Sequence, residues 1–138
     1  LTEINDYVQY LDQLYDAVFE QIPRGQVNVH LLGFSQGAAT VSRWIALGKV
    51  RLESWILWAG LFPYDLKFEV NREKLLNAET FLVYGDQDEF KDDAKVHERH
   101  QLVENEGLAY ETLQFNGRHE IPSEALLKLV RSKPELFK

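Results

Sequence analysis

From Ile4 to Ile22 the apolar side chains recur at steps of three and four residues. The recurring positions are Ile4, Tyr7, Val8, Leu11, Leu14, Tyr15, Val18, Phe19 and Ile22. Side chains at this spacing share one face of an α-helix, and Pro23 followed by Gly25 is typical of the end of a helix. The pattern therefore predicts an amphipathic helix that ends just before Pro23.

Beyond this helix, short β-branched and aromatic runs alternate with segments of helical periodicity. The runs predict strands at about 26–32, 55–60, 80–85 and 110–115, and the periodic segments predict helices at about 36–48, 71–77, 91–106 and 122–131. Strands that alternate with helices favour a parallel sheet that is covered by helices on both faces. We therefore expect one α/β domain that spans residues 1–138.

The first predicted strand leads into the pentapeptide Gly33-Phe34-Ser35-Gln36-Gly37, and a predicted helix follows it. A G-x-S-x-G sequence in this setting is typical of a sharp turn that raises the central hydroxyl above the sheet edge. We expect glycine on both sides of the serine because larger side chains would collide where the strand and the helix meet. Ser35 is therefore a candidate nucleophile.

Candidate partners for Ser35 follow two of the later predicted strands. Asp86 and Asp88 come directly after the third strand, and His119 comes after the fourth. The order serine, acid, histidine is the order of the catalytic residues in α/β-hydrolases, where each follows a strand. The residues alone leave the acid open between Asp86 and Asp88, since either could instead be a turn residue or a helix cap.

Three further histidines compete with His119 for the role of general base. His30 lies inside the first predicted strand and is interpreted as a packed core residue. His97 and His100 are three residues apart on a charged helix, which is a spacing compatible with a metal pair. No carboxylate-rich motif accompanies them, so a solvated helix face is favoured and no metal site is expected. His119, in a loop that contains glycine, is the predicted base.

The composition restricts the classes of partner. A net charge of −7 over 138 residues disfavours binding to the phosphates of nucleic acid. No apolar run approaches the roughly 18 residues of a membrane span, and no secretory signal is recognisable at the N-terminus. The chain has no cysteine, which excludes a cysteine nucleophile, disulfides and thiolate metal sites. We expect a cytoplasmic protein that acts on a small molecule.

Three segments carry a family resemblance. Gly33 to Ala39 is similar to the nucleophile segment of the phospholipase/carboxylesterase family, which includes acyl-protein thioesterases. Gly85-Asp86-Gln87-Asp88 resembles the acid loop of that family, and Gly117 to Ile121 resembles its histidine loop. The resemblance implies a three-layer α/β-hydrolase sheet and a serine esterase or thioesterase without cofactor or metal. It also implies that Ser35, Asp88 and His119 are the catalytic triad.

The resemblance also implies the substrate and two parts of its site. The substrate would be a small acyl ester or thioester, and the backbone N–H of Gln36, the residue after the nucleophile, would be one of two oxyanion donors. Leu61, Phe62 and Pro63 follow the second predicted strand and could line an acyl pocket, although they could equally cover the core.

Complete members of that family have further strands before the first helix, and a loop there supplies the second oxyanion donor. No such loop is present in these 138 residues. Loss of one donor typically costs about 2.7–4 kcal/mol of transition-state stabilisation. We therefore expect the C-terminal portion of a larger hydrolase, with a catalytically silent fragment as the alternative to an active esterase. We also expect its bare strand edge to pair with another chain or with the missing N-terminal segment.

Overall fold

The protein is an α/β domain built on a four-stranded parallel sheet, in a computed structural model that describes residues 2–138. The strands lie in the order β1-β2-β3-β4 and are β1 (His30–Phe34), β2 (Ser54–Trp58), β3 (Glu79–Gly85) and β4 (Glu111–Phe115). The helices are α1 (Thr2–Gln21), α2 (Gly37–Leu47), α3 (Arg72–Asn77), α4 (Asp93–Asn105) and α5 (Ser123–Ser132), and a 3₁₀ turn spans Arg24–Gln26. The predicted fold class is confirmed.

The two faces of the sheet are covered by different helices. On one face, Trp55 and Leu57 of β2 pack in a core with residues of α1, α2, α3 and α4. On the other face, Ile56 and Trp58 pack in a smaller core with α5 and the C-terminal residues. Because successive strand residues point to opposite faces, all five residues of β2 are buried. The result is the three-layer arrangement that the alternation of elements predicts.

The predicted bounds of the first two strands are wrong by a few residues. β1 begins at His30 rather than near 26, because the ladder with β2 starts at the pair His30 and Ser54. Just before it, the Val29 N–H bonds the Glu53 side chain at 2.5 Å. β2 ends at Trp58 rather than near 60, because Ala59 has a φ of 56°, outside the extended region.

β1 forms one edge of the sheet among the described residues, as expected from the sequence. Leu32 on this edge strand is 37% exposed, although the residues of β2 beside it are all buried. No helix within residues 2–138 combines the length and the apolar character needed to cross a membrane.

Candidate active site

Ser35 lies in a sharp turn between β1 and α2. Its φ of 57° falls in the left-handed region, which costs a non-glycine residue about 1–3 kcal/mol. The turn is held from two sides, since the Ser35 N–H donates to the Trp58 carbonyl at 2.8 Å and the Ser35 carbonyl accepts from the Ala38 N–H at 3.1 Å. Strained residues of this kind persist only where the surrounding structure fixes them, and they concentrate at functional sites.

The two glycines of the pentapeptide have different roles. A Cβ atom on Gly33 would lie 2.3 Å from the carbonyl oxygen of Gly37, so the strand and the helix meet as closely as the sequence predicts. A Cβ atom on Gly37 would meet no described atom within 4 Å. The expectation that both glycines avoid a collision is therefore wrong for Gly37, because its α-carbon faces open space at the start of the helix.

The imidazole of His119 joins Ser35 to Asp88. Its Nε2 atom lies 3.0 Å from Ser35 Oγ, and its Nδ1 atom lies 2.9 Å from Asp88 Oδ2. The side chains of Asp88 and His119 are only 3% and 19% exposed. The geometry thus brings together the three side chains that the sequence singled out, over separations of 84 and 31 residues.

Asp86 has a separate structural role in the same loop. Its Oδ1 atom accepts the Gly117 N–H at 3.0 Å, and its own N–H donates to the Phe115 carbonyl at 2.9 Å. Asp86 therefore ties the loop after β3 to the loop that carries His119. Of the two aspartates that the residues left open, Asp88 is the one in contact with the imidazole.

The backbone N–H of Gln36 is the group nearest in sequence to Ser35 that could stabilise an oxyanion. Gln36 is the N-cap of α2, and within residues 2–138 its N–H donates no hydrogen bond. The first N–H groups of a helix have no partner within the helix, and the helix dipole makes this end favourable for negative charge. The turn thus leaves the N–H of the residue after Ser35 without a hydrogen-bond partner among the described residues.

Comparison with known proteins identifies the family. A family model described as "Serine hydrolase (FSH1)" matches residues 3–129. The chain belongs to this serine hydrolase family. No curated protein gives a significant match.

Solved structures, among them a carboxylesterase and an acyl-protein thioesterase, share the fold of this chain. SOBER1 of Arabidopsis thaliana is similar at a TM-score of 0.77 with 16% identity, over 99% of this chain and 66% of that chain. A Bacillus cereus carboxylesterase has a TM-score of 0.72 and 15% identity, over 97% of this chain and 62% of that chain. Zea mays acyl-protein thioesterase 2 also has a TM-score of 0.72 and 15% identity, over 98% of this chain and 65% of that chain. This chain thus spans slightly less than two thirds of the length of these structures. The expected α/β-hydrolase fold is therefore confirmed, and so is membership of a serine hydrolase family.

A cavity of about 290 Å³ opens beside Asp88. Leu61 lines it, as the sequence suggested. Phe62 instead takes the core-covering alternative, because it is fully buried and its ring packs against Trp55. Pro63 is buried as well.

His97 and His100 of α4 do not contact the Ser35 hydroxyl. His100 lines the cavity and packs against Tyr110, with ring centroids 4.8 Å apart. Burial lowers the pKa of His100 from its ordinary value of 6.5, against the opposing effect of the Glu104 carboxylate. His97 is exposed, as expected for a solvated helix face, but the same expectation is wrong for His100, which is only partly exposed because it packs against the cavity wall. Within residues 2–138, no cluster of three or more His, Cys, Asp and Glu side chains is placed to hold a metal.

A second serine and histidine pair lies at the amino ends of the strands. His30 Nδ1 is 2.7 Å from Ser54 Oγ, and the imidazole packs against Phe137. Ser54 is fully buried, so a substrate carbonyl cannot reach its hydroxyl. Both serines therefore contact a histidine. Of Ser35 and Ser54, however, Ser35 is the one that lies in a strained turn at the N-terminus of a helix.

Sequence reasoning missed the aromatic surroundings of His119. The rings of Phe34 and Phe90 lie 4.9 and 4.8 Å from the imidazole, centroid to centroid. Trp58 Nε1 donates to the Glu120 carbonyl at 2.7 Å and so fixes the loop that carries the histidine. The sequence does place Phe34 directly before Ser35 and Phe90 two residues after Asp88, and these positions could have indicated aromatic side chains close to the site.

Proposed function

We propose that this chain is a serine esterase or thioesterase that cleaves small acyl substrates through an acyl-enzyme. The observation that carries the proposal is the continuous contact from Ser35 Oγ through the His119 imidazole to Asp88, at 3.0 and 2.9 Å. Both distances are within hydrogen-bonding range for proton transfer. Membership of a serine hydrolase family supports the same reaction class.

The reaction would proceed in two acyl transfers. Ser35 Oγ attacks the carbonyl carbon of the ester or thioester while His119 Nε2 accepts the hydroxyl proton. The imidazolium then gives that proton to the departing alkoxide or thiolate, which leaves the acyl group on Ser35. Water repeats the sequence with the same base and releases the carboxylic acid.

Asp88 and Gln36 would stabilise the charges that develop. The Asp88 carboxylate faces Nδ1, so it holds the tautomer in which Nε2 is free to accept a proton and it stabilises the imidazolium. The Gln36 N–H would donate to the oxyanion of the tetrahedral intermediate. The cavity lined by Leu61 lies beside this site and would hold the acyl group.

A fluorophosphonate probe, which reacts with activated serines, tests the proposal on the folded chain. We expect one adduct, located on Ser35 by peptide mass spectrometry, and loss of that adduct in Ser35→Ala and His119→Gln. Ser123→Ala and His97→Gln are matched controls because both residues are exposed and outside the site, and both should label as the parent does.

A folded parent chain that forms no adduct would contradict the enzyme reading. It would favour the alternative, a catalytically silent domain, which the bare edge of β1 and the single identified oxyanion donor also fit. For a chain that labels, hydrolysis of matched p-nitrophenyl esters and acyl thioesters of increasing chain length would then separate ester from thioester preference.

A further inference from the structure

Phe90 is a large apolar residue in an unusual place. Its side chain is 71% exposed, yet its ring contacts the His119 imidazole with centroids 4.8 Å apart. So exposed a ring buries little apolar surface, and the core of the domain gains little from it. Its contact with the histidine is therefore the feature that requires an explanation.

Asp88 couples Phe90 to His119. One carboxylate oxygen, Oδ2, faces His119 Nδ1 at 2.9 Å, and the other, Oδ1, accepts the backbone N–H of Phe90 at 2.9 Å. Because both of its oxygens have hydrogen-bond partners, the Asp88 side chain is held in one rotamer. The position of the Phe90 backbone and the position of the imidazole are thus set by the same side chain.

Phe34 and Phe90 approach the imidazole from different layers of the domain. Phe34 packs with the core on the α5 side of the sheet, whereas Phe90 lines the cavity beside α4 together with Asp88. The two ring centroids are 4.9 and 4.8 Å from that of His119. The core fixes the first ring, whereas the second lies at the cavity, next to Asp88.

We propose that Phe90 is a positioning residue for the hydrolytic reaction, an inference that rests on the proposed function. Its ring confines the His119 imidazole to the orientation in which Nε2 faces Ser35 and Nδ1 faces Asp88. It also keeps water from the cavity away from the Nδ1 proton. Without the ring, the imidazole can turn toward the cavity, and a misplacement of about 1 Å in a catalytic group can lower a rate by about 10²-fold.

The test compares Phe90→Ala, which removes the ring, with Phe90→Tyr, which keeps it. Tyr64→Ala is the matched control, because Tyr64 is 68% exposed and does not line the cavity. We expect Phe90→Ala to lower the rate of fluorophosphonate labelling by about 10- to 100-fold, while Phe90→Tyr and Tyr64→Ala stay near the parent rate. With p-nitrophenyl acetate, whose short acyl group does not depend on the cavity, the loss should be in kcat rather than KM.

A spectroscopic readout keeps this test independent of activity. The Nδ1 proton shared by His119 and Asp88 should give a downfield ¹H NMR signal that is absent from His119→Gln. We expect the signal to broaden by exchange with water in Phe90→Ala and to persist in Phe90→Tyr. An unchanged signal in Phe90→Ala would overturn the inference, and so would a parent labelling rate in that variant. A parent chain that shows the signal but does not label would instead count against the proposed function.

Discussion

Gly85 and Gly117 lie so close together that a Cβ atom on Gly85 would come within 2.3 Å of the Gly117 carbonyl oxygen. The same carbonyl accepts the Gln87 N–H at 2.8 Å, and the Gly117 N–H donates to Asp86 at 3.0 Å. The acid loop and the histidine loop are therefore hydrogen-bonded to each other at their bases. This contact sets the distance from Asp88 to His119.

Substitution of Gly85 by alanine should separate the two loops. The new methyl group would meet backbone atoms, which cannot move aside as a flexible side chain can. We expect the free energy of unfolding to fall by about 1–3 kcal/mol, as for other overpacked sites, and probe labelling to fall by about 10²-fold. Gly25→Ala is the control, because a Cβ atom there meets nothing within 4 Å. Labelling of Gly85→Ala at the parent rate would contradict this account of the loops.

The two aspartates of the acid loop should differ in their effect on the reaction. Asp88→Asn removes the charge that faces His119 Nδ1 and favours the wrong imidazole tautomer, so we expect the labelling rate to fall by about 10³- to 10⁴-fold. Asp86→Asn keeps an oxygen that can accept the Gly117 N–H, so we expect a loss of less than about 10-fold. Second-order labelling rates of both variants measure this. Equal rates for the two variants would contradict the assignment of Asp88.

The backbone strain at Ser35 should be measurable as stability. Glycine adopts a positive φ without a Cβ penalty, whereas alanine at 35 keeps the φ of 57° that the turn requires. We expect Ser35→Gly to unfold at a free energy about 1 kcal/mol higher than Ser35→Ala, after allowing for the greater entropy of unfolded glycine. Urea unfolding of the two variants measures the difference. A lower stability of Ser35→Gly would indicate that the turn is relaxed in solution.

Acid should destabilise the fold through His100. Burial lowers the pKa of His100 below its ordinary value of 6.5, so between these two pKa values the unfolded chain binds a proton that the folded chain does not. The free energy of unfolding should therefore be unaffected by this residue above pH 6.5, decrease as the pH falls from 6.5 to the lowered pKa, and level off below it. Burial also lowers the pKa of His30, which should add a second contribution of the same sign.

Urea unfolding at several pH values between about 5 and 8, where histidines titrate, tests this prediction. On acidification, the free energy of unfolding of His100→Gln should decrease less than that of the parent. The decrease that remains should be the contribution of His30. His97→Gln is the matched control, because His97 is an exposed histidine of the same helix. If the free energy of unfolding depended on pH in the same way in the parent and in His100→Gln, the result would contradict the burial of His100.

The sequence was sufficient for most of the local structure. The period of the apolar residues gave α1, and the alternation of runs gave the four parallel strands in the right order along the chain. It was less accurate at the strand ends. β1 begins where its partner strand begins, and β2 ends where Ala59 takes a positive φ, neither of which is encoded in the apolar pattern of the strand itself.

What the sequence determined by itself was the strand-to-helix turn that presents Ser35 and the order in which an acid and a histidine follow it. The turn depends on residues that are neighbours along the chain, and the order depends only on which residue types follow the successive strands, so both can be read from the sequence. The residues alone left the acid open between Asp86 and Asp88, and the tertiary structure places Asp88, which the family resemblance also implied, against the imidazole. It also brought the ring of Phe90 into contact with that imidazole. These contacts join segments that are distant in the chain, and they depend on how the loops close at the carboxyl ends of the strands, where hydrophobic periodicity carries no information.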